Sequence, residues 1–96
     1  MRNRFVVSYD ISDPKRLRLM HKKLSGFGEP VQYSVFLCPL SEKERILLLE
    51  MVTDVIHHQD DWVMIIDLGP AEGRGTECIE FVGRKYTLIE PRAVVV

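Results

Sequence analysis

Residues 6–18, VVSYDISDPKRLR, decide how this chain is read. An apolar run from Val6 to Tyr9 ends on Asp10, and Ser12-Asp13-Pro14 then pairs a helix N-cap candidate with a proline suited to the first helical position. The β-branched and aromatic stretch Arg4 to Tyr9 is short and reads as a central strand. In the helix that follows, Leu17, Met20, Leu24 and Phe27 recur at spacings of three and four and form one apolar stripe. Lys15, Arg16, Arg18, Lys22 and Lys23 fill its other faces, and Gly26 and Gly28 end it. A carboxylate at the end of a buried strand is costly unless a cation or a hydrogen-bond donor meets it. Asp10 therefore needs a partner.

Beyond the helix, VQYSVFLCPL (Val31 to Leu40) has strand composition, broken near Gln32-Tyr33-Ser34 into a bend or two short strands, with Pro39 restricting it to an edge or an end. Ser41-Glu42-Lys43-Glu44 matches a capping box and opens a second helix, in which Ile46, Leu49, Val52 and Ile56 are expected to line the core, broadened by Leu47, Leu48, Met51 and Val55. Asp61 to Leu68 reads as another buried strand, Gly69 to Gly75 as a loop, and Glu77 to Val82 as a half-exposed strand. The tail TLIEPRAVVV, residues 87–96, offers a last short extended piece. This order predicts an α+β, ferredoxin-like sandwich: a small antiparallel sheet with both helices on one face and an extra C-terminal strand. Its other sheet face is left to polar side chains, nucleic acid or a second subunit. An apolar end such as Ala93 to Val96 needs a sheet to pair with, its own or a partner's.

The 96 residues suit a single domain, small enough for dimerisation to help its stability. The composition, 46% hydrophobic and 28% charged, is that of an ordinary globular protein. No run is long enough to read as a membrane helix, and Met1-Arg2-Asn3-Arg4 leads into a strand rather than a signal peptide, so a cytoplasmic protein without a membrane partner is expected. Cys38 and Cys78 fit no metal-knuckle spacing and are expected to be buried free thiols. The net charge of −1 hides an asymmetry. Residues 2–23 hold Arg2, Arg4, Lys15, Arg16, Arg18, Lys22 and Lys23 against Asp10 and Asp13, whereas residues 41–61 are predominantly acidic. The N-terminal third can meet phosphates.

Asp10 has two readings: a carboxylate that helps to cap the next helix, or a ligand for Mg²⁺, which takes one or two carboxylates and fills its other positions with water and phosphate oxygens. A two-fold dimer would bring a second Asp10 to the same ion. The basic helix is either a solvated face or a phosphate-binding one. On the second reading Lys15, Arg16 and Arg18 hold the phosphodiester, and Lys22 and Lys23 add contacts that carry no sequence information. His57-His58 points its rings about 100° apart and reads as a solvated helix end rather than a chelate. The glycine-rich loop at 69–75 lacks the Lys-Ser/Thr and the helix of a phosphate-binding P-loop.

Two segments, Tyr9-Asp10-Ile11-Ser12-Asp13 after the first strand and Gln32-Tyr33-Ser34-Val35-Phe36 after the first helix, resemble the signature of the small CRISPR-associated endoribonuclease family, the smaller of the two core spacer-acquisition proteins. The resemblance implies a ferredoxin-like homodimer in which two copies of Asp10 bind Mg²⁺ or Mn²⁺. It places Tyr9, Arg16, Arg18 and Phe36 at or near the site. It also implies a scaffold role, in which the dimer bridges a CRISPR integrase and holds duplex DNA. Many relatives carry an arginine just before the Val-Gln run, where this chain has Pro30, losing a cation and a backbone donor together. Two functions follow: a metal-dependent endonuclease acting on single-stranded RNA or duplex DNA, or a non-catalytic adaptor. A small-molecule regulatory domain is disfavoured, because no glycine-rich ligand loop lies between the first strand and helix.

Overall fold

The computed structural model describes residues 1–84 and 86–88. Its elements are β1 (Asn3–Asp10), α1 (Pro14–Leu24), β2 (Glu29–Gln32), β3 (Val35–Leu40), α2 (Glu42–Val55), β4 (Trp62–Pro70) and a single helical turn, α3 (Arg74–Glu77). The strands form one sheet in the order β2-β3-β1-β4, each neighbouring pair antiparallel. This is the ferredoxin-like α+β plan. The expected extra strand within residues 87–96 lies outside the described residues beyond Leu88.

Each helix starts where its capping residues dictate. The Asp13 carboxylate accepts the Arg16 N–H at 2.9 Å and Pro14 opens α1. At α2 the box is reciprocal: Ser41 Oγ accepts the Glu44 N–H at 3.2 Å, and the Glu44 carboxylate accepts the Ser41 N–H at 2.8 Å. Val31 to Leu40 does split, with Tyr33 and Ser34 forming the turn between β2 and β3. Pro39 sits inside β3 opposite Arg4, beyond Leu37 where pairing with β2 ends, so its missing N–H falls where the strand has one neighbour. Gly28 is a close approach: a Cβ there would lie 2.7 Å from the Cys38 Cα.

The core fills the space between the sheet and the two long helices. Phe5, Val7 and Tyr9 point into it from β1, Phe36, Cys38 and Leu40 from β3, Met20 and Leu24 from α1, and Leu48, Val52 and Val55 from α2. The inward face of α2 is thus rotated from the expected one: Ile46 is exposed, and Leu48 and Val55 take the buried places. Residues apolar on several sides of one helix leave its rotation to the packing.

The sheet face away from the helices differs from expectation too. β4 was expected to be buried, but Trp62, Met64 and Ile66 are exposed and only Val63 and Ile65 turn toward the core. Glu77 to Val82 is not a strand; α3 occupies its start and Cys78 to Val82 have no regular structure. Alternation makes a strand only when another strand lies alongside to pair with it. The loop at 69–75 is correspondingly shorter, since β4 runs to Pro70 and α3 begins at Arg74. Cys38 is buried, and its thiol is pushed up to about 12 by burial and then by nearby Glu29, whereas Cys78 is exposed; both are free.

Candidate nucleic-acid and metal site

The end of β1 carries the predicted acid into open space. Tyr9, one residue earlier, is buried against the helices, and strand alternation turns Asp10 to the opposite side, where it is exposed beside its register partner Trp62 on β4. No hydrogen bond or ion pair reaches the Asp10 carboxylate among the described residues. The helix-cap reading of Asp10 therefore fails, because Asp13 holds that place.

Immediately before Trp62 lies an acid of the opposite kind. Asp61 is buried and surrounded by donors. Its Oδ2 accepts Arg16 Nε at 2.8 Å and the His57 N–H at 2.9 Å, and its Oδ1 accepts Arg16 Nη2 at 3.2 Å and the Ser12 N–H at 3.1 Å. The Arg16 guanidinium, and after it the His57 and Ser12 amides, hold the Asp61 carboxyl well below the usual carboxylate range, against the opposing effect of burial. A fork of this type fixes both partners in orientation. Arg16, predicted as a phosphate contact, is thereby engaged inside the protein, and it ties the loop after Asp10 to the start of β4.

The basic helix divides in the same way. Lys15 and Arg18 are exposed on α1 near its N-terminal end. Lys22 and Lys23, further along, border a groove of about 630 Å³ whose opposite wall carries Glu50 and Asp54 of α2, so part of their charge faces acids. Lys15 and Arg18 are exposed cations of α1 that form no ion pair among the described residues.

Tyr9 and Phe36 are core residues, stacked at 6.4 Å between ring centroids. The Tyr9 hydroxyl donates to the Tyr33 carbonyl at 2.8 Å, and burial pushes its pKa up to about 12, so it stays protonated at neutral pH. Both stand behind the surface and support it. His57 and His58 are exposed, bonded to Asp60 and to the Thr53 carbonyl rather than to each other. Sequence reasoning missed the role of Asp61, which reads there only as the first residue of the strand Asp61 to Leu68.

A divalent ion fits this edge only in part. Asp10 is a hard oxygen donor, exposed and unclaimed, but among the described residues no group of three His, Cys, Asp or Glu side chains is placed to hold a metal ion. One carboxylate is within what Mg²⁺ accepts, its other positions being filled by water and phosphate oxygens.

An antiparallel sheet backed by two helices, with an unclaimed acid where its central strand meets a basic helix, defines a small ferredoxin-like domain with a charged working edge. The sequence model of the family CRISPR associated protein Cas2 matches residues 3–73. The chain belongs to that family. It is 38% identical over 92 residues to the CRISPR-associated endoribonuclease Cas2 1 of Rhodospirillum rubrum, covering 96% of this chain and 89% of that one. It is 35% identical to the CRISPR-associated endoribonuclease Cas2 of Geobacter sulfurreducens, with both chains covered in full. Among solved structures it is similar to a hypothetical protein from Thermus thermophilus, with TM-score 0.77 and 25% identity over 93% of this chain and 100% of that one. Cas2 of Streptococcus pyogenes matches with TM-score 0.72 and 28% identity over 83% of this chain and 99% of that one.

Proposed function

We propose that this protein is a CRISPR-associated, metal-dependent endonuclease that hydrolyses phosphodiester bonds as a homodimer and acts in spacer acquisition. The observation that carries the reading is Asp10: an exposed carboxylate without a partner, held at the end of a buried strand by ordered surroundings. Asp10 and the partner's Asp10 would hold Mg²⁺ or Mn²⁺. Such an ion, when bound, neutralises phosphate charge and polarises the phosphorus centre. Lys15 and Arg18 hold the phosphate backbone. The Arg16–Asp61 fork keeps the loop after Asp10 in one position, and Tyr9 and Phe36 keep the strand end rigid from behind.

The dimer is supported by the uncovered sheet face. Trp62, Met64 and Ile66 put large apolar side chains into solvent, and a second copy is the simplest cover for a surface that begins beside Asp10. Replacing Ile66 by Asp is expected to convert the dimer to monomer in sedimentation and to abolish cleavage with it. Free thiols at Cys38 and Cys78 suit a cytoplasmic setting, and no described helix is long and apolar enough to cross a membrane.

A second reading, a non-catalytic adaptor that holds duplex DNA and bridges the CRISPR integrase, is favoured by two facts. Among the described residues no group of three His, Cys, Asp or Glu side chains is placed to hold a metal ion, and Arg16 is engaged with Asp61 rather than available to stabilise a reaction. The two readings separate by cleavage of single-stranded RNA and of duplex DNA by wild type and Asp10→Ala, with and without chelator. Loss of cleavage in the variant and with chelator supports the enzyme; equal outcomes in all four, with DNA capture retained, leave only the adaptor.

A further inference from the structure

At the other side of the β1 end, an exposed aromatic is held in place with more care than a turn residue requires. Tyr33 lies on the two-residue turn between β2 and β3 and is 55% exposed. Its ring stacks on the imidazole of His21, with centroids 5.0 Å apart and planes 16° from parallel. Its carbonyl accepts the Tyr9 hydroxyl at 2.8 Å and lies 3.2 Å from His21 Nδ1. A carbonyl oxygen only accepts, so Nδ1 carries the proton and the ring orientation is fixed. His21 in turn meets buried Phe36 edge to face at 5.1 Å. The stack is therefore built outward from the core, and its outermost member presents a ring to solvent.

The position of this ring gives it a use. The Tyr9 N–H donates to the Ser34 carbonyl at 3.2 Å, which sets the turn against the residue before Asp10. Arg18 is exposed three positions before His21 on α1, on the neighbouring part of the same helix side. An aromatic face and a cation thus share one side of α1, and the turn under the ring is bonded to the residue before Asp10. A base in a duplex already has both faces covered, whereas an unpaired base gains by stacking on an aromatic ring whatever its identity. A ring that is already ordered spares much of the entropy cost of binding.

We propose that the Tyr33–His21 stack is a binding platform for one unpaired nucleobase, seated beside the Asp10 end of β1 and giving single-stranded nucleic acid an advantage over duplex. This deepens the nucleic-acid reading above and rests on it for its biological use. The ligand class is a single strand, RNA or DNA, with a base turned out of its stack and its phosphates on Lys15 and Arg18.

The test uses the full chain in chelator, so that binding is read without cleavage and a failure of the nuclease reading leaves the result intact. Single-stranded RNA and DNA of one sequence, each carrying 2-aminopurine, are titrated alongside the corresponding duplexes. Wild type is expected to quench the fluorescent base in both single strands. Tyr33→Ser is expected to lose the quenching and to weaken single-strand binding roughly tenfold, with duplex binding unchanged. Tyr33→Phe keeps both, which separates the stacking face from any effect on folding. The platform is overturned if Tyr33→Ser weakens duplex and single strand alike, or if it leaves the quenching in place. A loss confined to the RNA arm or to the DNA arm also overturns it, in favour of a sugar contact.

Discussion

Asp10 and Asp61 stand on either side of the same strand pairing, one at the last residue of β1 and the other just ahead of its register partner on β4, and they have opposite surroundings. Asp61 is buried and meets Arg16, Ser12 and His57; Asp10 is exposed and meets nothing among the described residues. A carboxylate whose lone pairs are filled is finished chemistry, useful for holding chain segments together and closed to an outside ligand. One left open at a rigid strand end costs little in water and remains free to take a cation. The sequence presents both as acids beside apolar strands. Only their partners tell them apart.

Removing each acid in turn should have opposite consequences. Asp10→Ala is expected to lower cleavage by roughly a hundredfold or more, since charge stabilisation at phosphorus is worth several kcal/mol. Its melting temperature should stay within about a degree of wild type, because an exposed side chain without partners contributes little to stability. A large loss of stability in this variant would mean that Asp10 is structural after all.

Asp61→Asn should do the reverse. It leaves the Arg16 guanidinium without its counter-charge, so thermal melting at neutral pH should show a clear fall, with cleavage down by about tenfold through a displaced loop. The pH dependence adds a sign. Because the native carboxyl lies below its ordinary value of about 3.9, the pair's contribution is complete above that value. It is lost as pH falls below about 3.9 toward the native value. Wild type should therefore lose stability across that acid range, and the gap between wild type and Asp61→Asn should close there. A gap that persists unchanged at low pH would show that the ion pair does not supply the stability assigned to it.

Much of this could be read in the sequence, and the part that could not has identifiable causes. Asp13-Pro14 and Ser41 to Glu44 are local signals, and both helices begin where those residues place them. The Tyr33-Ser34 break is local too. The Arg16–Asp61 fork joins positions 45 residues apart, and no pattern in either segment announces the other. In β4 the run Trp62 to Ile66 is apolar on both faces, which reads as burial on both sides; among the described residues the core takes in only Val63 and Ile65 of that run. The alternation of Glu77 to Val82 likewise asks for a strand to pair with.

Smaller effects sharpen the same distinction among the cations. Each phosphate contact contributes about 0.7 to the salt slope of single-strand binding. Arg18→Gln should lower the slope by about that amount. Arg16→Gln should leave it unchanged while reducing thermal stability, since its guanidinium is spent on Asp61. If the Arg16 variant also lowers the slope, the fork opens when nucleic acid arrives, and the division between engaged and available charge fails for that residue.

Tyr9→Phe is the smallest and most exacting case, because the residue sits next to Asp10 in sequence yet on the opposite side of the sheet. Removing the hydroxyl deletes the bond to the Tyr33 carbonyl, which keeps His21 Nδ1 as its remaining partner, so the loss should be about 1 kcal/mol in chemical denaturation. A hydroxyl whose pKa lies near 12 and whose proton already points to a carbonyl has no proton to exchange at neutral pH. Cleavage by Tyr9→Phe should then fall no further than its single-strand affinity does, through a loosened Tyr33. A much larger loss of turnover at saturating substrate would put the Tyr9 oxygen in the reaction itself, and burial would no longer separate the supporting residues from the working ones.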